Sequence, residues 1–355
     1  MLAELLETTM EKRRELIDKI RSLRVCEDAV KKLWIRYVPK PVKGVTIGGV
    51  DGSSNFKEFK SFSVIALSAE AVVLGEEIMD KVRLCDVDVL YPYFRTRERV
   101  RVYMLIMEIL ATLKACEKVD LLLLDGSIIN NLVRHIPRNL GLAEEILADS
   151  SLNSLLENEE FNIRNLINYV ISRGKNSENY IICIEFLKYL SLLRKLLERS
   201  KEKIIAIAKT SQSTLYFKEP KPDIAIFEKL TRTTGFSKPI IRGLHDILAS
   251  MRSKASSFLV NFFNDVDISI FYFRVVENGP VLKAEVPRRI TLEDIKEILN
   301  VILTYSVMGY PYPLKKAHAD SDIKEQDMEC ILRILSAYDE RTGREQHEIT
   351  VRHWY

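Results

Sequence analysis

Apolar residues near helical spacing characterise the first segment of the chain, from residue 2 to about residue 35, with Lys and Glu on the opposite face. This pattern predicts an amphipathic helix, and we assign residues 1–40 to it. Its apolar stripe needs burial against the body of the chain, a second copy or another protein. The stripe consists of Leu2, Leu5, Leu6, Ile17, Ile20 and Leu23.

Runs of Val, Ile and Leu separated by turn residues replace this pattern after Pro39 and Pro41, as is typical of strands. Three consecutive strands in a meander are the simplest interpretation. The runs cover residues 45–51, 61–75 and 78–90.

A helical pattern over residues 97–118 leads into four consecutive leucines before Asp125. A fully apolar run of this length is typical of a central strand buried on both faces. The order β-β-β-α-β is therefore predicted for residues 44–138, the first part of a core.

Long helical patterns fill residues 139–203, with a loop-like break at 172–179, and we interpret them as a helical insertion. Strand-like runs then return in the second part of the core, residues 204–320, before a C-terminal segment, residues 321–355. These runs cover 204–211, 268–276 and 281–287; a helix from about Leu292 to Tyr305 and a proline-broken segment follow them.

The charge balance, 53 basic against 50 acidic residues, excludes the uniform positive charge of a histone-like protein. The longest apolar run, Val102 to Met107, is far shorter than the roughly 20 residues that cross a bilayer, so no membrane span is expected. The N-terminus lacks the pattern of a signal peptide. Five scattered cysteines without a CxxC motif indicate a reducing compartment, and we expect a cytoplasmic protein.

One motif occurs twice: an apolar run that ends in Asp-Gly-Ser, at Asp51 and at Asp125. A single Asp-Gly pair is usually only a turn. If both aspartates stand at strand ends in the centre of one sheet, as we predict, their carboxylates come close together. Like charges at that range require a proton or a cation between them, and a divalent metal ion is the natural cation.

Glu108 is the only charged side chain between Arg101 and Lys114, within an apolar helix. It lies either on a narrow solvent-facing stripe or against a buried partner. Because its helix leads directly into the strand that ends in Asp125, we favour a position beside that carboxylate. Carboxylate oxygens on a rigid scaffold are the ligands that Mg²⁺ and Mn²⁺ prefer.

Two later segments offer further groups that metal-assisted phosphodiester hydrolysis uses: another ligand, an acid or base, and cations for phosphate oxygens. Lys209 ends an apolar strand and either reaches the same site or only extends into solvent. A lone histidine is more often an ordinary surface or core residue. The C-terminal candidates are Tyr310, His318, Asp320, Lys315 and Lys316.

Basic residues interleaved with aromatic ones are typical of a groove for a nucleic-acid backbone, although such runs are often only solvated surface. The chain has such a cluster before its first central helix: Arg95, Arg97, Arg99 and Arg101 beside Tyr91, Tyr93 and Phe94. Because no GxxxxGK[ST] sequence is present, we do not expect a P-loop ATPase.

The ordered set of motifs resembles the NurA nucleases of archaea from about residue 44 to residue 320. The matching features are GVDGS at 49–53, the lone Glu108, LLLLDGS at 121–127, the Ala-Lys-Thr-Ser strand end at 208–211, and Tyr310 with His318 eight residues later. The insertion at 139–203 has no matching motif.

The resemblance implies an α/β fold: an RNase H-like mixed sheet with flanking helices. It also implies Mn²⁺-dependent (or Mg²⁺-dependent) cleavage of single- and double-stranded DNA, including 5′–3′ exonuclease activity, by a homodimer that works in DNA-end resection with a HerA-type hexameric ATPase. Asp51, Glu108 and Asp125 would be the acidic metal ligands, completed by Tyr310 and His318, although Asp320 could replace His318.

Lys209, Lys315 or Lys316 would steady the phosphate, and Arg95, Arg97 and Arg99 would contact the DNA backbone. Two alternatives stay open at this point. One is an actin-like sugar or acetate kinase, whose strands also end in Asp next to Gly, although its glycine-rich adenosine loop is not evident here. The other is a DNA scaffold in which the carboxylates are structural.

Overall fold

Ten strands form one mixed sheet and two more form a short hairpin. The structure is a computed structural model that describes residues 2–21, 27–76, 79–137, 140–250 and 256–337, and all counts below refer to these ranges. The strands are β1 (Trp34–Arg36), β2 (Ile47–Glu58), β3 (Ser63–Leu74), β4 (Met79–Leu90), β5 (Leu121–Asp125), β6 (Ile204–Ala208), β7 (Gly235–Ser237), β8 (Ile240–Gly243), β9 (Asp267–Arg274), β10 (Leu282–Val286), β11 (Ser306–Val307) and β12 (Tyr310–Pro311).

The helices alternate with these strands and flank the sheet. They are α1 (Leu2–Glu11), α2 (Arg13–Arg21), α3 (Glu27–Leu33), α4 (Thr96–Ala115), α5 (Ile128–Arg134), α6 (Ala143–Ala148), α7 (Ser150–Glu157), α8 (Ile163–Ser172), α9 (Glu178–Ser200), α10 (Asp223–Leu230), α11 (Leu244–Ala249), α12 (Ser256–Phe262), α13 (Leu292–Thr304), α14 (Tyr312–Ser321) and α15 (Glu325–Ile334).

The strand order in the sheet is β1-β7-β9-β10-β6-β5-β2-β3-β4, with β8 paired to β9. The predicted meander is present, because β2, β3 and β4 are consecutive antiparallel neighbours. At the centre, β5 pairs in parallel with both β2 and β6. The carboxyl ends of β5 and β6 therefore meet at one edge of the sheet, beside the middle of β2.

Side chains of the central strands alternate between two hydrophobic cores, one on each face of the sheet. Val50 and Leu122 pack into a core with α4, α9 and the helices of the insertion. Ile47 and Leu123 pack on the other face, with α13 and Leu314 of α14. The predicted mixed α/β sheet with flanking helices is confirmed, and the narrower RNase H-like description stays a prediction.

Some elements differ from the sequence-based expectations. The N-terminal region is not one helix but α1, α2 and α3 followed by β1; Leu23, predicted to lie in its apolar stripe, is outside the described residues. The segment after Tyr305 forms the β11–β12 hairpin and the regular helix α14. The insertion is helical as predicted, and its expected break falls between α8 and α9. The division into domains stays a prediction.

β2 is also longer than predicted and continues to Glu58, because it pairs with β3 along its whole length. Asp51 therefore lies inside a strand, and the prediction that both aspartates stand at strand ends is wrong for Asp51 and right for Asp125. No helix in the described ranges has the length and apolar character needed to cross a membrane.

Candidate active site

Three predicted site residues come together at the centre of the sheet. Val50 of β2 and Leu124 of β5 are register partners, so Asp51 and Asp125 follow them side by side. His318 of α14 lies over this pair, with Nδ1 2.6 Å from Oδ2 of Asp51. One ligand atom from each of Asp51, Asp125 and His318 lies within 4.8 Å of the other two. This spacing is suited to a metal ion.

Glu108 approaches the aspartates from α4, on the opposite face of the sheet. Val50 packs towards α4, so strand alternation directs Asp51 to the face covered by α14. The Glu108 side chain lies over Gly52, where an added Cβ would be 2.7 Å from both Cγ and Oε1 of Glu108. A residue without a side chain at position 52 thus lets a third carboxyl group approach the pair.

The three carboxyl groups oppose one another's ionisation. Burial, and then the charge of Asp125, raise the pKa of Asp51, although a hydrogen bond from His318 and the Gly52 amide partly offset the increase. Burial, followed by the charges of Asp51 and Asp125, raises the pKa of Glu108 well above its ordinary value. Clustered carboxylates and an imidazole nitrogen match the donor preferences of Mn²⁺ and Mg²⁺, so the residues fit such an ion.

Lys209 and Tyr310 lie beside Asp125. Lys209, just beyond β6, donates a hydrogen bond from Nζ to Oδ2 of Asp125 at 2.9 Å. Its Nζ is 4.8 Å from the ring centroid of Tyr310. Burial lowers the pKa of Lys209, but Asp125 and Tyr310 outweigh burial and raise it overall, which keeps the ammonium charged.

The buried Tyr310 hydroxyl donates no hydrogen bond to another described residue, although the Lys209 ammonium lies close enough to act on its oxygen. Burial, and then Asp125, raise its pKa to about 12, so the group stays protonated at neutral pH. An unsatisfied O–H donor beside a carboxylate pair is free to serve a bound ligand.

The structure separates His318 from Asp320, the two alternatives for the last ligand. His318 faces Asp51, whereas the Asp320 carboxylate is 2.5 Å from both Lys316 and Lys81. Hydrogen bonds from Lys316 and then Lys81 hold the pKa of Asp320 far below its ordinary value. Asp320 is thus part of an ion-pair network rather than of the carboxylate pair, and Lys316 is engaged there too.

Glu70 is the residue near the site that sequence reasoning missed. It is the register partner of Asp51 across β2 and β3 and is fully buried. It accepts a hydrogen bond from Arg83 at 2.5 Å and pairs with Lys81 at 3.3 Å, which links it to Asp320 on α14. The sequence feature that identified Glu108 could also have identified Glu70, because Glu70 is the only charged residue in the apolar run at 61–75.

The arginine cluster divides into two environments. Arg95 and Arg97 are exposed, and Arg95 pairs with Glu98 and Glu178. Arg99 is only 1% exposed and forms hydrogen bonds to Glu185 of α9, at 2.8 to 3.1 Å. The expectation that Arg99 contacts DNA is wrong, because a buried guanidinium held by a carboxylate cannot reach a phosphate.

Comparisons with known proteins identify the family to which the chain is similar. The family model described as the NurA domain matches residues 45–323. The DNA double-strand break repair nuclease NurA of Sulfurisphaera tokodaii is 28% identical over 92% of this chain and 91% of its own length. The probable NurA nuclease of Methanocaldococcus jannaschii is also 28% identical, over 94% of this chain and 90% of that protein.

Solved structures share the fold. The NurA nuclease from Sulfolobus solfataricus superposes with a TM-score of 0.76 at 23% identity, covering 95% of this chain and 97% of that one. A NurA structure bound to dAMP and manganese gives a TM-score of 0.62 at 18% identity, over 97% and 98% of the two chains. Since the family model spans most of the chain, this protein belongs to the NurA family.

Proposed function

We propose that this chain is a metal-dependent deoxyribonuclease that hydrolyses phosphodiester bonds at the site formed by Asp51, Glu108, Asp125 and His318. The observation that carries this proposal is the grouping of Asp51, Asp125 and His318, whose ligand atoms lie within 4.8 Å of one another. Glu108 is close enough to both aspartates for their charges to raise its pKa. The relatives named as DNA double-strand break repair nucleases support DNA as the substrate.

The four residues would hold Mn²⁺ or Mg²⁺, and the NurA structures solved with manganese support the first of these ions. When bound, such an ion supplies a water of lowered pKa for in-line attack on phosphorus and stabilises charge on the leaving 3′ oxygen. His318 orients the Asp51 carboxylate through the contact between its Nδ1 and Oδ2.

Lys209 and Tyr310 would bind the phosphate. Lys209 is a charged donor held against Asp125, and the Tyr310 hydroxyl is a protonated donor without an acceptor in the described ranges. Both donors thus stand beside the carboxylates, where preorganised hydrogen bonds stabilise charge that develops on phosphate oxygens.

We further propose that the protein acts as a homodimer with 5′–3′ exonuclease and single-strand endonuclease activities, in DNA-end resection beside a HerA-type hexameric ATPase. The family resemblance supports this part of the proposal. The exposed side chains of Arg95, Arg97 and Lys315 would guide the DNA backbone, with Lys316 nearby.

The test is release of nucleotides from end-labelled single- and double-stranded DNA in Mn²⁺, Mg²⁺ or EDTA, with Asp125→Asn as the inactive control. We expect release that requires the metal ion and is lost in the variant. A kinase would instead consume ATP with a small-molecule acceptor, and a scaffold would bind DNA without cutting it; either result would contradict the proposal.

A further inference from the structure

A groove of about 950 Å³ begins beside the candidate active site, where the carboxyl ends of β5 and β6 meet. Its walls come from α5, from the segment that follows β6, and from β8 and α11. Ser127 lines this groove and also a small pocket that Glu108 and Asp125 line, so the groove adjoins the carboxylates of the candidate site. In sheets with parallel strands, ligands commonly bind just outside the carboxyl ends of those strands.

The charged side chains that line the groove are basic. Acidic residues account for 50 of the 355 residues, yet none is among the described residues that line the groove, whereas Arg134, Arg242 and Lys283 are. Hydroxyl and amide side chains such as Asn130 and Thr210 provide most of the remaining polar surface. This combination is suited to an anionic ligand with many oxygen atoms.

The two arginines are available for binding. Arg134 and Arg242 are both exposed, and neither forms an ion pair with another residue in the described ranges. Lys283, by contrast, is buried and neutralised by Glu285 at 2.6 Å. Glu285 also accepts hydrogen bonds from the Ser127 hydroxyl at 2.6 Å and the Ile129 amide at 3.1 Å, which fixes the start of α5 at the groove floor.

His135 lies beside Arg134 and close enough to α4 for Arg101 of that helix to act on its charge. Burial, and then the charges of Arg134 and Arg101, lower the pKa of His135 to about 4. Arg101 is exposed and stands four residues after Arg97, on the same face of that helix. Arg134 in the groove and Arg101 on α4 therefore both lie near His135.

We propose that this groove seats the nucleotides next to the scissile phosphate on a single DNA strand, with Arg134 and Arg242 in contact with backbone phosphates. The inference rests on the proposed nuclease function and adds the path of the substrate strand. The described lining contains no aromatic ring, so recognition would fall on the backbone and would be tolerant of sequence.

The experiment uses the full-length chain and the double variant Arg134→Ala/Arg242→Ala. Binding of oligothymidylates from two to about 16 nucleotides long is measured in EDTA, and their cleavage in Mn²⁺. Arg173→Ala is the matched control, since Arg173 is exposed on the insertion and does not line the groove. Both groove arginines are exposed, so their removal leaves the core intact.

We expect the double variant to bind long oligonucleotides more weakly. The slope of the logarithm of the binding constant against the logarithm of the salt concentration should become shallower by about 1.4, which corresponds to two lost phosphate contacts. The double variant should lose more of the wild-type cleavage rate on long oligonucleotides than on the dinucleotide, so that the dependence of the rate on substrate length becomes weaker. The charge-conserving variant Arg134→Lys/Arg242→Lys should keep most of the salt dependence, and Arg173→Ala should match wild type.

Unchanged binding and an unchanged length dependence in the double variant would overturn the groove assignment. These results are distinguishable from failure of the proposed function. If wild type cuts no DNA in any metal ion, the nuclease proposal fails, whereas the salt dependence measured in EDTA still decides whether the groove binds a strand.

Discussion

The carboxyl group of Glu108 lies over Gly52, in the space that a side chain at residue 52 would occupy. The two Asp-Gly-Ser motifs thus use glycine for different reasons. Gly126 has a positive φ of 108° just after β5, where glycine relieves backbone strain in a turn. Gly52 is in the interior of β2, and its missing side chain lets α4 bring Glu108 close to Asp51.

Gly52→Ala should reduce metal-dependent cleavage strongly, because its Cβ would displace the Glu108 carboxylate. Steady-state nuclease assays over a Mn²⁺ titration would show a lower rate and a weaker apparent metal affinity. Gly141→Ala is the control, since nothing lies within 4 Å of a Cβ at that position and its backbone is not left-handed. Equal activity of the two variants would contradict the role of Glu108.

Asp51→Asn, Glu108→Gln and Asp125→Asn should each lower cleavage by about a thousandfold, corresponding to several kcal/mol of lost transition-state stabilisation. Because the groups act as one unit, double variants should lose little more than single ones. Single-turnover cleavage of labelled DNA measures this effect. Wild-type activity in any of the three variants would remove that residue from the site.

Glu108 should contribute a loss of stability to the metal-free protein as the pH rises above about 4.3, the ordinary pKa of Glu. The pKa of Glu108 is raised in the folded state, so the folded protein retains a proton that the unfolded chain has lost, and stability declines until the pH passes the folded pKa. Urea unfolding in EDTA across this range should show a smaller decline for Glu108→Gln. Identical pH profiles for both proteins would argue against a clustered, protonated Glu108.

Arg99→Met should destabilise the protein by about 3–5 kcal/mol, because it leaves the buried Glu185 carboxylate without its partner. Arg97→Met is the matched control on the exposed face of α4 and should leave stability nearly unchanged while weakening DNA binding in a salt-dependent manner. Chemical denaturation and binding titrations together separate the two effects. A stable Arg99→Met protein with impaired DNA binding would reverse this assignment.

Deletion of residues 1–24 should change the melting temperature little, because the apolar side chains of α1 and α2 cover little of the body. Leu2, Leu5, Leu6, Met10 and Ile20 are all exposed. We expect the truncated protein to cut short DNA alone but to sediment as a smaller species or to lose stimulation by a HerA-type ATPase. A truncated protein that still self-associates and is still stimulated would show that this stripe serves no partner.

Local periodicity was sufficient to predict much of the fold. β3, β4 and α4 fall within a few residues of their predicted ranges, because a two-residue or 3.6-residue repeat is visible inside a single element. The lone charge of Glu108 and the strand end at Asp125 were likewise local signals. The second half of β2 could not be predicted, because the residues after Asp51 are mostly polar. They are held in an extended conformation by pairing with β3.

The sequence by itself determined which side chains were chemically suited to a site; the tertiary structure decided which of them meet. The periodicity of α4 could not show that Arg99 is held by Glu185, 86 residues later. Nor could it show that Lys81 and Lys316 engage Asp320 while His318 meets Asp51 across 267 residues. Hydrogen bonds and ion pairs act over a few ångströms, so partners from distant segments are set by strand register and by the packing of α4, α9 and α14 on the sheet.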